Sequence, residues 1–169
     1  MVPRIDISAL FSASAPRAAT DAAIFEAAGA SGFMMVCGLP PAVPIDPASR
    51  RALLRLFQLP AAETRKLWRQ KFDPTHRNVY RGWFPLQDGH ETYKEGIDLG
   101  PDIAFGREAV DPDDPLREAT PLPPEQALPG WRMDIAAYFK AMERVAQALM
   151  RALARGLGLP EYHFDATFA

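Results

Sequence analysis

The longest regular pattern of apolar positions lies near the end of the chain. Apolar side chains recur there at three- and four-residue steps, and charged side chains fall mostly off that stripe. Gly156, Gly158 and Pro160 then supply a helix stop. The pattern predicts one amphipathic helix, roughly 35 Å long at 1.5 Å per residue. Its apolar face consists of Ile135, Tyr138, Phe139, Met142, Val145, Leu149, Leu153 and Leu157.

Two short patterns near the start of the chain predict strands. Residues 5–8 alternate between apolar and polar side chains, which is typical of a half-buried strand. Residues 33–36 form an uninterrupted apolar run, which is typical of a strand covered on both faces. Between them, Ser14 and Pro16 are a cap and first-turn pair for an alanine-rich helix. That helix would run to about residue 28 and bury Ile24 and Phe25.

The middle of the chain contains weaker signals. Asp46 followed by Pro47 predicts the start of a second helix, and the chain restarts after Pro60 as a short helix through residue 68. Prolines, glycines and acids dominate from there to about residue 131. In that region only residues 79–84 and 96–99 have the composition of extended segments.

Composition limits the class of protein. The chain has 169 residues, of which 48% are hydrophobic and 24% charged, with a net charge of −2. These values are those of an ordinary globular domain and give no reason to expect a polyanion or a membrane as a partner. One cysteine excludes an internal disulfide and fits a reducing compartment. A cytoplasmic location is therefore expected.

Several residues that could carry chemistry also have structural explanations. His163 and Asp165 form a His-x-Asp pair, but no histidine follows, so a three-ligand iron site would have to recruit His76 or His90. A surface position is the simpler expectation for His163, and no metal ligand is assigned. Cys37 ends an apolar run without a neighbouring base, which favours a buried structural thiol.

The segment from residue 50 to residue 71 is basic, and the segment that follows is acidic. A basic stretch with interleaved aromatics could bind nucleic acid. The balanced total charge instead favours a solvated face that complements the acidic segment. The basic residues are Arg50, Arg51, Arg55, Arg65, Lys66, Arg69 and Lys71. The acidic ones are Asp88, Glu91, Glu95, Asp98, Asp102, Asp111, Asp113 and Asp114.

Seven segments, taken in order, resemble the N-terminal region of isopenicillin N synthase-like oxygenases, which depend on Fe(II) and mostly on 2-oxoglutarate. The most informative are residues 80–85, Tyr-Arg-Gly-Trp-Phe-Pro, and residues 94–102. The others are residues 2–8, residues 32–39, Leu59-Pro60 with Glu63 and Lys66, residues 115–123, and Leu157-Gly-Leu159. The resemblance covers nearly the whole chain.

The resemblance implies an α+β fold, the N-terminal part of a double-stranded β-helix (jelly-roll) oxygenase. Short strands, two to three small helices and one long backing helix are expected, without the jelly-roll core. Residues 1–131 would be the N-terminal module, and residues 132–169 the long helix and a link to the catalytic jelly roll. The parent would oxidise a small molecule with Fe(II) and 2-oxoglutarate. Neither is expected to bind this chain alone, which lacks the family's iron ligands and Arg-x-Ser.

The resemblance also singles out Arg81 and Tyr80 as substrate-binding residues. In the family this strand faces the mouth of the iron site, where an arginine can hold a substrate acid. A structural ion pair of Arg81 with Glu95 or Asp98 is the alternative. Two further alternatives concern the whole chain: a free-standing, non-catalytic interaction module, with self-association through an exposed helix face, and a nucleic-acid binder that uses residues 50–71.

Overall fold

The structure is a computed structural model that describes residues 1–71, 73–86, 94–106 and 114–167. Within these residues the fold is α+β, as predicted, with short strands, short helices and one long helix. The strands form two separate two-stranded sheets, and no jelly-roll sheet occurs in the described ranges. The chain divides into two compact units, residues 1–44 with 140–169, and residues 45–139. The predicted boundary after residue 131, between a module and its link, stays a prediction.

The first unit is built on a strand–helix–strand crossover. Strand β1 (Arg4–Asp6) pairs in parallel with strand β2 (Met35–Cys37), and helix α1 (Ala18–Ala30) connects them. A parallel pair needs such a crossover because its strands run in the same direction. Ile7 and Ile24 are fully buried in the core of this unit, where Val145 and Ala152 of the long helix also pack.

Three sequence predictions for this unit are wrong. Helix α1 begins at Ala18 and has no side-chain cap; Ser14 lies in a preceding turn in which its N–H donates to the Ser12 hydroxyl. Phe25 is exposed, because the core-facing side of α1 carries Ile24 and Ala27 instead. Strand β2 is not covered on both faces either. Met35 is exposed, whereas Met34 and Val36, on the opposite face of the strand, pack against the core.

The long helix α5 (Trp131–Gly156) confirms the strongest prediction from sequence. Its end is a Schellman motif, in which the Leu159 N–H donates to the Ala154 carbonyl and the Gly158 N–H donates to the Arg155 carbonyl. The helix supplies buried side chains to both units: Trp131 and Ile135 to one, Val145 and Ala152 to the other. No helix in the described residues has both the length and the apolar character that a membrane crossing requires.

The second unit contains helices α2 (Pro47–Leu54), α3 (Ala61–Thr64) and α4 (Asp102–Phe105). The Asp46 carboxylate caps α2 by accepting from the backbone N–H groups of Ala48 and Ser49 at 2.8 and 3.1 Å, as predicted. Strand β3 (Gly82–Phe84) runs antiparallel to strand β4 (Gly96–Asp98), which confirms the predicted extended segment at 96–99 and the second half of the one at 79–84. Leu56 and Trp131 are the most deeply buried side chains of this core.

Candidate functional site

A single carboxylate organises the backbone just before β3. The backbone N–H groups of Val79 and Tyr80 donate to Glu118 at 2.9 and 2.6 Å, and the Arg81 N–H donates to the same carboxylate. Glu118 is buried, so these charge-assisted hydrogen bonds form in a setting of low dielectric. Glu118 therefore provides the acceptors that a neighbouring strand would otherwise provide.

Arg81 is only 5% exposed, and its guanidinium makes three hydrogen bonds. Its Nη1 donates to Asp102 Oδ1 at 3.1 Å and to the Glu118 carbonyl at 2.6 Å, and its Nη2 donates to the Leu116 carbonyl. Gly100 permits this arrangement, because a Cβ there would lie 2.1 Å from Arg81 Cζ. The guanidinium thus acts as a buried anchor between α4 and residues 116–118.

The predicted ion-pair partners of Arg81 are wrong. Asp98 instead forms an ion pair with Arg69, in which Oδ2 lies 2.6 Å from Nη1, and Glu95 accepts from the Trp83 indole N–H at 3.2 Å. The ion-pair partner of Arg81 is Asp102, the first residue of α4, whose Oδ1 lies 3.1 Å from Arg81 Nη1. Asp102 is itself held by Thr120, whose hydroxyl and N–H donate to it at 2.6 and 2.9 Å.

The two predicted substrate-binding residues are placed differently. Tyr80 is 47% exposed, whereas Arg81 points into the polar cluster of Asp102, Glu118 and Thr120. Contact of either residue with a substrate stays a prediction. Tyr80 therefore has the accessible side chain, and Arg81 makes the contacts that hold this segment in position.

Strand β3 packs closely on the segment that follows α3. Gly82 has a φ of +131°, and a Cβ there would lie 2.5 Å from the Leu67 carbonyl oxygen, so this position requires glycine. The Arg69 N–H donates to the Trp83 carbonyl at 2.9 Å. The rings of Trp68 and Trp83 meet edge to face, with centroids 6.5 Å apart. This close packing creates the walls of a groove.

The groove, here called the tryptophan groove, has two lobes that share Trp68 and Pro85. The apolar lobe has a volume of about 440 Å³ and is lined chiefly by Phe57, Leu59, Trp68, Trp83 and Pro85. The basic lobe has a volume of about 490 Å³ and is lined chiefly by Trp68, Arg69, Lys71, Phe84 and Lys94. Arg69 lies over the Phe84 ring at 4.6 Å. Both volumes fall in the range of small-molecule sites.

The first unit contains a cluster of charged side chains around the end of α5. Arg155 binds Asp21 through two hydrogen bonds and also binds Glu161, which accepts from Arg17 as well. Hydrogen bonding to Asp21 raises the pKa of Arg155 above its usual range. Because these arginines already have carboxylate partners, the cluster ties segments of the unit together.

The described residues do not fit an iron site. Both Asp165 carboxylate oxygens accept from Arg151, at 3.2 and 2.6 Å, and His163 is an exposed residue whose ring meets that of Phe164. His76 Nδ1 is occupied by the backbone of Asn78, and His90 lies outside the described residues. No three histidine, cysteine or acidic side chains in the described ranges are grouped to hold a metal ion.

Sequence reasoning missed Glu118, Asp102 and the groove. Glu118 could have been suspected as an acid within a proline-rich loop, where an anion can bind free backbone N–H groups. The groove is signalled only by Trp68 close to the basic residues Arg69 and Lys71, a pattern that also fits the solvated face predicted for this segment. Cys37 is half-buried, and its thiol donates to the Ile5 carbonyl at 3.5 Å.

Comparison with solved structures establishes the class of fold. A Neurospora crassa protein, solved in apo form after truncation of its C-terminus, superposes with a TM-score of 0.70 at 24% identity, covering 98% of this chain and 56% of that chain. The full-length form of that protein, in complex with alpha-KG and 5-formyluracil, gives the same score and identity, with 47% of that chain covered. The fold is therefore that of part of the Neurospora crassa structure.

Comparison with curated proteins adds a particular relative. Isopenicillin N synthase from Streptomyces clavuligerus is 28% identical over 173 residues, which cover 99% of this chain and 51% of the relative. The chain therefore spans about half the length of the curated relative that it matches. No protein-family model matches the chain. The predicted resemblance to isopenicillin N synthase-like oxygenases is confirmed by this similarity.

Proposed function

We propose that this chain is the N-terminal module of an Fe(II)- and 2-oxoglutarate-dependent oxygenase that oxidises a small molecule. The similarity to isopenicillin N synthase along 99% of the chain carries this proposal. The likeness to the Neurospora crassa protein, which has been solved with alpha-KG and thymine, supports the choice of co-substrate and of a small-molecule substrate. A ferrous centre, when bound in the whole enzyme, would activate oxygen for the oxidation.

In this proposal the described residues do not ligate iron. They hold the substrate-side strand in place: Glu118 fixes the backbone of residues 79–81, and Arg81 joins that segment to α4 through Asp102. Tyr80, with its exposed side chain, is the residue that would meet a substrate directly. Arg81 would meet a substrate acid only if its guanidinium exchanged one of its present contacts.

The test is a turnover assay on two polypeptides: the chain of 169 residues and the longest product that its gene encodes. Each is incubated with Fe(II), ascorbate and 2-oxoglutarate, and succinate is measured with and without a chelator. We expect chelator-sensitive succinate formation by the longest product and none by the chain alone. Absence of turnover in both would contradict the oxygenase assignment.

The competing function is a non-catalytic interaction module. The observation that favours it is exposed apolar surface beside β2, where Phe33 and Met35 are 70% and 59% exposed. Under that alternative, the longest product would form no succinate, whereas the chain alone would capture the same partner with and without Fe(II). Self-association is the simplest case, and sedimentation of the isolated chain over a range of concentrations measures it.

A further inference from the structure

We propose that the tryptophan groove binds a small amphiphilic carboxylate, with its acid in the basic lobe and its apolar body in the apolar lobe. This inference does not rest on the oxygenase proposal, because the groove is lined by described residues of the ranges 57–71, 83–86 and 94–95 and needs neither iron nor 2-oxoglutarate. It rests on three features of the groove: an open aromatic wall, a one-sided charge distribution and a rigid backbone that joins the two lobes.

The aromatic wall explains the apolar part of the ligand. Trp68 is 40% exposed although its edge packs on Trp83. Phe57 and Leu59 continue the same wall, so the lobe offers contiguous apolar surface rather than one isolated ring. Covering such surface is favourable by roughly 25 cal/mol per Å² of area removed from water. An alkyl or aryl body is the chemical group that covers it without leaving polar groups unpaired.

The charge distribution explains the acid. The lining of the basic lobe contributes the three positive charges of Arg69, Lys71 and Lys94, and no acidic side chain among the described residues lines it. Asp98, outside that lining, is bound to Arg69 at 2.6 Å and offsets one of these charges. Lys94 lines the lobe and can donate a charge-assisted hydrogen bond to a carboxylate that enters it, so the choice of an acid rests on Lys94.

The backbone between the lobes is held before any ligand arrives. Arg69 is fixed by Asp98, by the Tyr80 carbonyl at 3.1 Å and by the Phe84 ring. Its own N–H is bonded to the Trp83 carbonyl, which sets the spacing of the two walls. A preformed site binds with less loss of conformational entropy than a flexible one. Trp68 and Pro85 line both lobes, so the two lobes adjoin, and the proposed ligand would extend past these two residues to occupy both.

Single-stranded nucleic acid fits this groove less well. It would require a row of stacking rings alternating with several phosphate contacts. The positive charges are instead concentrated in one lobe, and the apolar lobe carries Glu95 beside Arg65. A compact molecule with one acid and one apolar body matches this division.

The experiment uses intrinsic tryptophan fluorescence of the chain, titrated with octanoate, octanol and octylamine below their aggregation limits. We expect saturable one-to-one binding of octanoate that is about tenfold tighter than that of octanol, a difference of roughly 1.4 kcal/mol. Octylamine is expected to bind still more weakly. The Trp68→Phe variant should remove most of the signal change, since Trp68 borders both lobes.

Two matched variants test the charge assignment. Lys94→Glu should weaken octanoate about tenfold and leave octanol unchanged, whereas Arg51→Glu, on an exposed arginine outside the groove lining, should change neither by more than about twofold. The proposal would be overturned by equal binding affinities for octanoate and octanol, by equal effects of the two variants, or by a lack of saturation at millimolar octanoate. So would an oligonucleotide that binds more tightly than octanoate with the same dependence on Lys94.

Discussion

Arg155 and Asp21, 134 residues apart in sequence, form a bidentate ion pair in which Nε–Oδ2 and Nη2–Oδ1 are both 2.7 Å. The side chains are 22% and 12% exposed. Arg155 also binds Glu161 at 2.8 Å, so one guanidinium links α1, the end of α5 and the segment beyond it. Arginine suits this position because its planar fork matches two acceptors at once.

We therefore expect Arg155→Met to lower the free energy of unfolding by about 2 kcal/mol, since it leaves the Asp21 carboxylate without its partner. Urea denaturation measures the change. Arg144→Met, on an exposed arginine of the same helix, is the control and should be nearly neutral. In a double-mutant cycle, Asp21→Asn should lower the free energy of unfolding much less in the Arg155→Met background than in the wild type. Equal losses from Arg155→Met and Arg144→Met would contradict the prediction.

A second prediction concerns the buried guanidinium of Arg81. Arg81→Ala should lower the free energy of unfolding by roughly 3 kcal/mol, because it removes a buried guanidinium and leaves Asp102, whose side chain is 19% exposed, without its cationic partner. Arg81→Lys should recover only part of this loss in the free energy of unfolding, since a lysine ammonium cannot contact Asp102 and both carbonyls together. Arg77→Ala, on an exposed arginine nearby, should be nearly neutral.

The same variants separate the two roles of Arg81 in the longest gene product. If Arg81→Ala melts like the wild type but loses substrate affinity about ten- to a hundredfold, the residue binds substrate directly. If the melting transition collapses while Tyr80→Ala alone raises KM in a folded protein, Arg81 is a positioning residue. The second result is expected from the contacts of Arg81.

A third prediction is a pH effect at the start of α2. Hydrogen bonds from the Ser49 hydroxyl and then from the Ser49 and Ala48 N–H groups lower the pKa of Asp46. The ionised cap therefore stabilises the fold above the unfolded-state pKa of about 3.9, and this contribution is lost as pH falls through the lower folded pKa. Asp46→Asn keeps a cap that does not titrate. We expect the wild type to have a higher melting temperature than Asp46→Asn at neutral pH. This difference in melting temperature should vanish in strong acid. A difference that does not change with pH would rule out this role.

A fourth prediction is that the isolated chain has no stoichiometric Fe(II) site. Asp165 is committed to Arg151, so the His163–Asp165 pair cannot supply two ligands without breaking that ion pair. Anaerobic calorimetry should give weak binding that His163→Ala does not alter. Micromolar or tighter one-to-one binding that is abolished by His163→Ala would show that the pair binds iron.

Local signals predicted the regular elements well and the contacts between distant residues poorly. The stripe from residue 135 to residue 157 and the Asp46-Pro47 cap each specify a helix through neighbours a few residues apart. The partner of Arg81 depends instead on where α4 turns, which no short pattern encodes. Glu95, Asp98 and Asp102 were all near enough in sequence, and only the fold distinguishes between them.

The errors in the first unit have a similar cause. Residues 33–36 are apolar enough for a strand covered on both faces, yet β2 leaves Met35 exposed in the described structure. The composition of a segment indicates that it can be buried, but the elements that pack against it determine whether it is buried. Phe25 and Ile24 are both apolar residues of α1, but only Ile24 faces the core of the first unit.

The Glu118 carboxylate has one further consequence, for isotope exchange. Backbone amides outside regular ladders usually exchange with solvent quickly, yet those of Val79, Tyr80 and Arg81 are all bonded to one buried acid. Their exchange requires withdrawal of the Glu118 side chain, which is 37 residues from Arg81 in sequence. It does not depend on fraying of a strand. These three deuterons should therefore exchange at closely similar rates and become labile together in Glu118→Ala, so that a segment without a strand partner behaves as one cooperative unit.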